Sequence, residues 1–415
     1  MRGSQPLKRL PGKRHDDSPL RQGDSNRIPS RLFLAALLFL VLPAAVYAVE
    51  YSALPSLRVK EGVNDNILMT DHPHHTVWES HISPSLRLSA AMERWQIEGN
   101  LWASIDQYVG EKGLDMNEGS LKLSSEYSTE WDRWRWAGEL TRDAAWKSEL
   151  LETGRVLGIQ RRTVGMMSAS WDRSLTERMN ALGKIEYRET RYDENGTRGL
   201  FDYYLYVGTI GSTYSLSEND QLSASLDLLS YHAATVGIQS NNVGMQLSWI
   251  HPFSETIKGS VSVGIRELFT NISFGGETQR EREFGWLAGG TLEKKWEHTS
   301  LQGDFSRQID PSGAGYLIEV NRLHVVIEQS LTQTTVGSLA ARFYWARPLR
   351  NDLSFSNTRS VSIEPKWSWN WTEAWSMLIG YRYLLQKSNN VIGSIDSNSI
   401  FWMLTYHGPR WSISR

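Results

Sequence analysis

The chain has 415 residues, a formal net charge of −2 and no cysteine. The absence of cysteine excludes a disulfide framework and thiolate–metal chemistry. The near-neutral charge argues against a nucleic-acid-binding protein, whose contact surface would be basic. The sequence is rich in aromatic residues of the kind that gather at membrane interfaces, with 18 Trp and 16 Tyr.

An uninterrupted apolar run at residues 32–42 follows a basic stretch and precedes a segment of small residues. This order predicts a secretory leader, residues 1–48, that is cleaved between Ala48 and Val49. The run is about half the length of a transmembrane helix of ~20 residues, so a retained membrane anchor is the weaker interpretation. Residues 49–415 then form the mature chain.

Residues 94–106 show a pattern that recurs along the mature chain. Side chains of a strand alternate between two faces, and here one face is apolar and the other polar. The apolar face holds Trp95, Ile97, Gly99, Leu101, Ala103 and Ile105, and the polar face holds Arg94, Gln96, Glu98, Asn100, Trp102, Ser104 and Asp106. The same alternation recurs at 184–188, 221–228, 257–263 and 361–369.

Tight turns alternate with longer connections rich in Gly, Asn and Asp, which is typical of bacterial outer-membrane barrels. Longer connections are predicted at 62–78, 109–118, 147–158, 192–201, 232–241, 270–282, 309–315, 347–354 and 387–397. The pattern predicts an all-β fold, a transmembrane antiparallel up-and-down barrel of about 18 strands, with 16 as the alternative.

Tryptophans lie beside the tight turns, as an aromatic girdle at a membrane interface requires. They are Trp95, Trp131, Trp134, Trp171, Trp249, Trp296, Trp371 and Trp375, with Trp411 near the chain end. The last strand is predicted at Ser399–His407 and should pair with the strand that begins near Leu57, because lipid offers no partner to an open sheet edge. Residues 408–415 have no predicted role.

The first predicted strand carries a short motif. Residues 56–68 contain Asn64-Asp65-Asn66, and the segment Ser83-Pro84-Ser85-Leu86 follows. This opening resembles a family of porin-like outer-membrane barrels found with exopolysaccharide and PEP-CTERM/exosortase loci. The resemblance implies an outer-membrane barrel tied to surface-polysaccharide production, and it brings no established catalytic residues.

The predicted lumen carries candidate binding residues. They are Arg94, Trp102, Arg133, Arg135, Arg188, Tyr204, Tyr206 and Arg382. Three of the arginines, Arg133, Arg135 and Arg188, are expected on neighbouring strands and could form a basic ladder for an anionic sugar, and the aromatic residues could stack on sugar rings. The alternative is that inward charges pair across strands and keep the interior wet. Inward acids and bases are nearly balanced, which argues against a strong ion-selective filter.

Other polar motifs favour no catalytic or metal site. The histidines of 72–75 could bind a metal, but a solvated loop explains them better, and an Asx turn explains 64–66 better than a calcium site. Residues 23–25 resemble a hydrolase motif by chance. Residues 81–83 and 298–300 have the His-x-Ser spacing of some barrel hydrolases but are predicted near periplasmic turns. We expect no cofactor and no metal.

No plug domain precedes the predicted barrel, and a barrel of this size without a plug leaves an aqueous channel. The favoured function is a passive, non-enzymatic porin-like channel of the bacterial outer membrane for export or passage of exopolysaccharide or its fragments. The alternative is a non-conducting structural or docking barrel of a surface-polysaccharide assembly system, and an outer-membrane hydrolase is third. Expected partners are outer-membrane lipid, polysaccharide and envelope secretion proteins, with no nucleic acid.

Overall fold

The computed structural model describes residues 49–71, 74–152, 158–274, 277–349, 357–389 and 393–414. The predicted leader lies outside the described residues, as does His72. No helix in the described part of the chain is long and apolar enough to cross a membrane. The elements in chain order are β1 (Glu50–Asn64), β2 (Val77–Ala91), β3 (Trp95–Val109), β4 (Met116–Ser128), β5 (Asp132–Ala144), α1 (Ala145–Glu152), β6 (Arg161–Ser174), β7 (Met179–Tyr192), β8 (Tyr203–Ser215), β9 (Gln221–Ala233), β10 (Ile238–Ser254), β11 (Ile257–Phe274), β12 (Glu277–Lys295), β13 (Thr299–Pro311), β14 (Leu317–Ser330), β15 (Thr335–Pro348), β16 (Thr358–Asn370), β17 (Trp375–Ser388), β18 (Ile395–His407) and β19 (Trp411–Ser414).

The strands form one antiparallel sheet that closes on itself. Each strand pairs with its neighbours in the chain, and β1 pairs with both β2 and β18. The short segment β19 pairs with the beginning of β1 and continues the line of β18. The barrel therefore has 18 strands, as predicted, and the alternative of 16 is wrong.

The tail of the chain completes the last strand. β18 pairs with residues 56–64 of β1, which confirms the predicted closure. β19 resumes the pairing with Ala53 opposite Trp411, one residue out of step, so a β-bulge lies between the two segments. At the bulge Gly408 N donates to the carbonyl of Pro55 at 2.9 Å. The tail thus pairs the first residues of β1, which β18 is too short to reach.

The two faces of the sheet have opposite character. On β3 the outward Leu101 and Ile105 are 50% and 53% exposed, whereas the inward Ser104 and Asp106 are buried. The cross-strand register carries this division around the barrel, because residues that lie opposite each other in a ladder share a face. The predicted alternation is confirmed for residues 95–106, with the apolar face outside, whereas Arg94 precedes the strand.

Aromatic side chains border the apolar outer band at both ends. Next to the tight turns, Trp95 stacks on Trp136 with ring centroids 5.8 Å apart, and Trp134 packs on Trp171 at the same distance. At the rim of the longer connections the outward Trp286 is exposed. Two aromatic girdles around an apolar band are the signature of a membrane-spanning barrel. The tight turns mark the periplasmic rim, and the opposite end is called the loop rim below.

One predicted loop is absent. Residues 270–282 lie almost entirely in strand, because the β11–β12 ladder continues up to Phe274 opposite Glu277. The ladder between β12 and β13 stops at Ala288 opposite Arg307, so the upper part of β12 is a sheet edge. This edge is rich in charged residues, which discourages pairing with another chain.

Candidate functional site

Several connections at the loop rim fold into the mouth of the barrel. Trp146 of α1 and Leu114, between β3 and β4, are buried against the inward side chains of Tyr108 and Val77. On the other side Leu200, between β7 and β8, is buried in a second apolar cluster. These connections place an apolar filling inside the mouth and narrow it.

A buried polar network fixes α1 to the wall. Lys147 of α1 donates to Asp106 at 2.6 Å and to Glu118 at 2.8 Å. Asp106 also pairs with Nδ1 of His81 at 2.8 Å, and Glu79 lies 3.4 Å from Nε2 of the same ring. Each carboxylate faces at least one cation or imidazole, as buried charge requires. The network holds the helix across the mouth.

The next two residues of α1, Ser148 and Glu149, make a second set of contacts. Ser148 donates to Asp143 at 2.6 Å, and Arg162 pairs with the same carboxylate at 3.1 Å. Tyr192 Oη donates to Glu149 at 2.6 Å. These bonds join α1 to β5, β6 and β7, so the helix is tied to the wall on both sides.

A recess of about 440 Å³ opens on the inner faces of β2 to β6. It is lined by Arg87, Glu98, Asn100, Lys122 and Glu139, among others. Lys122 pairs with Glu139 at 2.9 Å. Charged and amide side chains line the recess together with apolar groups such as Leu123 and Met166, and its volume is large enough for a sugar-sized solute.

A cationic cluster lies on the inner faces of β15, β16 and β17. Its centre is Glu364, whose side chain is only 3% exposed. Arg382 Nε lies 2.6 Å and Arg342 Nη1 lies 4.0 Å from this carboxylate, and Lys366 also pairs with it. Three cations share one carboxylate, and both guanidinium side chains are nearly half exposed, at 45% and 46%. The cluster therefore presents a net positive charge to the lumen.

Phe401 connects this cluster to β1. Arg382 lies 6.0 Å and Lys60 lies 5.1 Å from the centre of its ring. The ring fits because Gly380 has no side chain; a Cβ there would lie 2.5 Å from Phe401 Cζ. Cations beside an aromatic face are stabilised by its electrostatic quadrupole, so Phe401 holds Arg382 in place and brings one further cation, Lys60, to the edge of the cluster.

The predicted arginines of β5 and β7 do point inward but are not brought together. Arg135 lies 3.1 Å from Glu126 and 3.2 Å from Asp172, and Arg133 lies 3.5 Å from Glu126. Arg188 pairs with Glu186 at 3.2 Å, and β6 separates its strand from β5. The expected basic ladder on neighbouring strands is wrong, because carboxylates neutralise each arginine locally.

Tyr204 and Tyr206 were expected inside and lie outside. Tyr206 is opposite Tyr187, on the face of Ile185, and it is 54% exposed. The inward residues of β8 include Leu205, which packs against the loops that fill the mouth. The expectation that polar side chains point into the lumen fails on β8, because apolar loop residues fill the lumen beside this strand. The predicted inward positions on β8 are therefore shifted by one residue.

The remaining predicted residues occupy two places. Trp102 is inward and half-buried on β3, as predicted, between Ser85 and Ser120. Arg94 lies exposed in the turn between β2 and β3 rather than on the lumen wall. The sequence analysis missed Arg342, whose inward position follows from the alternation of β15.

The His-x-Ser motif at 81–83 lies inward in the loop-side half of β2, so its predicted place near a periplasmic turn is wrong. Carboxylates engage both ring nitrogens of His81, and Ser83 Oγ lies 2.9 Å from Ser104 Oγ. This histidine is therefore not placed as a base for Ser83. His298 is exposed in a tight turn, as predicted. No cluster of His, Asp or Glu among the described residues could hold a metal ion.

A closed 18-stranded barrel with an apolar outer band, two aromatic girdles and a polar wall defines a transmembrane β-barrel of the bacterial outer-membrane class. No protein-family model and no curated protein matches the sequence.

Solved structures match at low similarity. A BenF-like porin from Pseudomonas fluorescens Pf-5 has 10% identity and a TM-score of 0.49, over 86% of this chain and 98% of that chain. Pseudomonas aeruginosa OpdK with vanillate has 7% identity and a TM-score of 0.48, over 87% of this chain and 99% of that chain. Acinetobacter baumannii OccAB3 has 9% identity and a TM-score of 0.47, over 88% of this chain and 99% of that chain. The fold assignment rests on the closed hydrogen-bond network of the chain itself.

Proposed function

We propose that the chain is a passive porin-like channel that prefers small acidic solutes, including acidic fragments of exopolysaccharide. The observation that supports this proposal is the cationic cluster around Glu364. Its arginines face the lumen and share their only described carboxylate, so they keep hydrogen-bonding capacity for a solute. Arginine binds carboxylates through two parallel hydrogen bonds, which suits uronic acids.

The inward loops favour short solutes over an intact polymer. α1 and the connections around Leu114 and Leu200 occupy the mouth and are packed against the wall. A long polysaccharide would need a continuous wide path, whereas a mono- or disaccharide needs only a narrow one. Passage of whole exopolysaccharide is therefore the weaker form of the proposal, and the link to polysaccharide loci rests on the sequence resemblance alone.

The same loops support a second candidate, a non-conducting barrel that displays its outer surface to assembly partners. Tyr231 and Leu268 are almost completely buried inside the mouth. A mouth filled to this degree on one side could block conduction altogether. The two candidates differ in whether water and ions cross the barrel.

Liposome swelling distinguishes the channel from the non-conducting barrel, because only a channel lets solute and water cross the membrane. The full chain is purified from membranes and reconstituted, and swelling is compared in isotonic galacturonate and galactose. The channel proposal expects swelling in both solutes and a faster rate in galacturonate, because the cationic cluster raises the local concentration of the anion. Absence of swelling in a folded, heat-modifiable barrel would contradict it and favour the structural candidate. Retention of labelled polygalacturonate inside the vesicles is expected if only fragments pass.

A further inference from the structure

The outer face of β12 to β17 carries cations near the loop rim. We call this surface the outer basic patch; it consists of Arg280, Arg282, Arg307, Arg347, Arg359 and Lys387. Register places them outside: Arg359 lies opposite Trp345 on one side and opposite Lys387 on the other. The patch lies on the far side of the wall from the lumen and serves no role in the proposed channel.

Two carboxylates neutralise only part of the patch. Glu319 is 5% exposed and pairs with Arg307 and with Arg347, whose Nε lies 2.8 Å from Oε1. Glu267 pairs with Arg282, whose side chain is 64% exposed. Arg307 is itself buried, but Arg282 and Arg347 are exposed, so more cations than carboxylates remain on the surface.

Arg359 and Lys387 give a second, independent observation. They lie directly opposite each other across β16 and β17, and like charges in that position destabilise a sheet. Both side chains are exposed, and no ion pair joins either of them to a carboxylate among the described residues. Arg359 contacts only an aromatic face, 5.3 Å from the ring centre of Trp345. An external anion would relieve this repulsion.

The position of the outer basic patch along the barrel axis indicates which ligand covers it. Trp345 belongs to the loop-rim girdle, and the outward residues below Arg359 on β16 are Val361 and Ile363. In a barrel that spans a membrane, lipid covers this face, and the girdle marks the level of the headgroups. A cationic surface at that level attracts anionic lipid, and arginine matches phosphate geometry bidentately.

We propose that the outer basic patch is a binding site for the phosphate groups of an anionic lipid in the outer leaflet. Glu319 holds Arg307 and Arg347 in place from below, while Arg347, Arg359 and Lys387 contact the phosphates. The lipid neutralises the unpaired cations and seals the outer face of the barrel beside the free edge of β12.

The outer face of β5 to β7 provides a matched control. Arg142, Arg161 and Arg191 lie outward near the same rim, but Arg142 pairs with Asp193 at 2.9 Å and Arg191 with Glu189 at 2.6 Å. Two of these three cations thus already have a carboxylate partner and gain less from a lipid phosphate. The same number of charges can therefore be removed from either side of the barrel.

The experiment measures lipid retention by native mass spectrometry. The full barrel in detergent is titrated with bisphosphorylated lipid A, with its dephosphorylated form and with phosphatidylethanolamine. The wild type is compared with the patch variant Arg347→Gln/Arg359→Gln/Lys387→Gln and the control variant Arg142→Gln/Arg161→Gln/Arg191→Gln. Heat modifiability on gels confirms that each variant is folded.

The wild type and the control variant should retain bisphosphorylated lipid A, and the patch variant should bind it at least about tenfold more weakly, since each cation near an anionic membrane strengthens the attraction. Equal retention by the patch variant would overturn the proposal. Equal binding of the dephosphorylated lipid by the wild type would also overturn it, because the acyl chains alone would then explain binding. Displacement of the lipid by inorganic phosphate would support the phosphate contacts.

Discussion

Two groups of inward charges in the same barrel behave differently. On β4 to β7 the inward arginines lie among several carboxylates: Arg133 and Arg135 share Glu126, and Arg135 also contacts Asp172. On β15 to β17 three cations converge on Glu364. The first group is a set of local ion pairs that stiffen the wall, whereas the second leaves positive charge facing the lumen.

The difference teaches that the overall balance of lumen charge is a poor guide to selectivity. The near equality of inward acids and bases predicts no strong filter, yet neutralisation is local because an ion pair needs contact within about 4 Å. Cross-strand register decides which cation meets which carboxylate. A channel that is nearly neutral on average can therefore carry a cationic site.

Charge reversal in the cationic cluster should have the largest effect. Arg342→Glu with Arg382→Glu replaces two half-exposed cations by carboxylates beside Glu364, so the preferred ion should change from chloride to potassium. The permeability ratio in planar bilayers measures this change. Arg133→Glu with Arg135→Glu is the matched control and should shift the ratio several-fold less. Equal shifts in both variants would erase the contrast between the two groups.

Removal of a central carboxylate should distinguish the groups by stability. Glu364→Gln leaves three cations facing one another without a counter-charge, and we expect the free energy of unfolding to fall by about 2–3 kcal/mol. Glu186→Gln removes a carboxylate that is more exposed than Glu364, at 14% against 3%, and that pairs with only Lys184 and Arg188 among the described residues. This change should cost about 1 kcal/mol or less. Urea titrations of the barrel in lipid vesicles provide both values. A larger loss in Glu186→Gln would refute this ranking.

A variant of the mouth separates size selection from charge selection. A Cβ on Gly313 would lie 2.5 Å from Tyr192 Oη and 2.6 Å from Glu149 Oε1. Gly313→Ala should therefore displace the connection between β13 and β14, change the single-channel conductance and lower stability by about 1–2 kcal/mol. The ion preference should stay unchanged. Gly303→Ala, on the preceding strand β13 with no atom within 4 Å of the added Cβ, is the control and should alter neither property.

The smallest effect is expected at an exposed carboxylate in a periplasmic turn. Hydrogen bonds from Ser217, His251 and Trp249 lower the pKa of Asp220. The charged carboxylate thus stabilises the turn at neutral pH, and this contribution is lost as the pH falls through the lowered pKa. Asp220→Asn should reduce the thermal midpoint slightly at pH 7, and the difference from the wild type should vanish in acid. A difference that grows in acid would exclude this role.

The fold could be predicted because alternation, tight turns and girdle tryptophans all depend on local sequence. The orientation of individual charged and aromatic side chains could not be predicted, for two physical reasons. On β8 the inward residues are apolar because loops fill the mouth, so the inward face there was assigned to Tyr204 and Tyr206. At the loop rim, outward positions such as Arg359 are charged because they lie at the headgroup level. Both departures from an apolar outer face and a polar inner face depend on what packs against the barrel wall. The sequence of a single strand does not show what its two faces will contact.

The most direct test of the cationic cluster is the reversal potential of the wild-type channel under a potassium chloride gradient. We expect open steps in planar bilayers and a reversal potential on the chloride side of zero, because Arg342 and Arg382 face the lumen with one shared carboxylate. Cation preference would contradict the assignment of the cluster as the selective site. A folded barrel that never opens would contradict the channel itself.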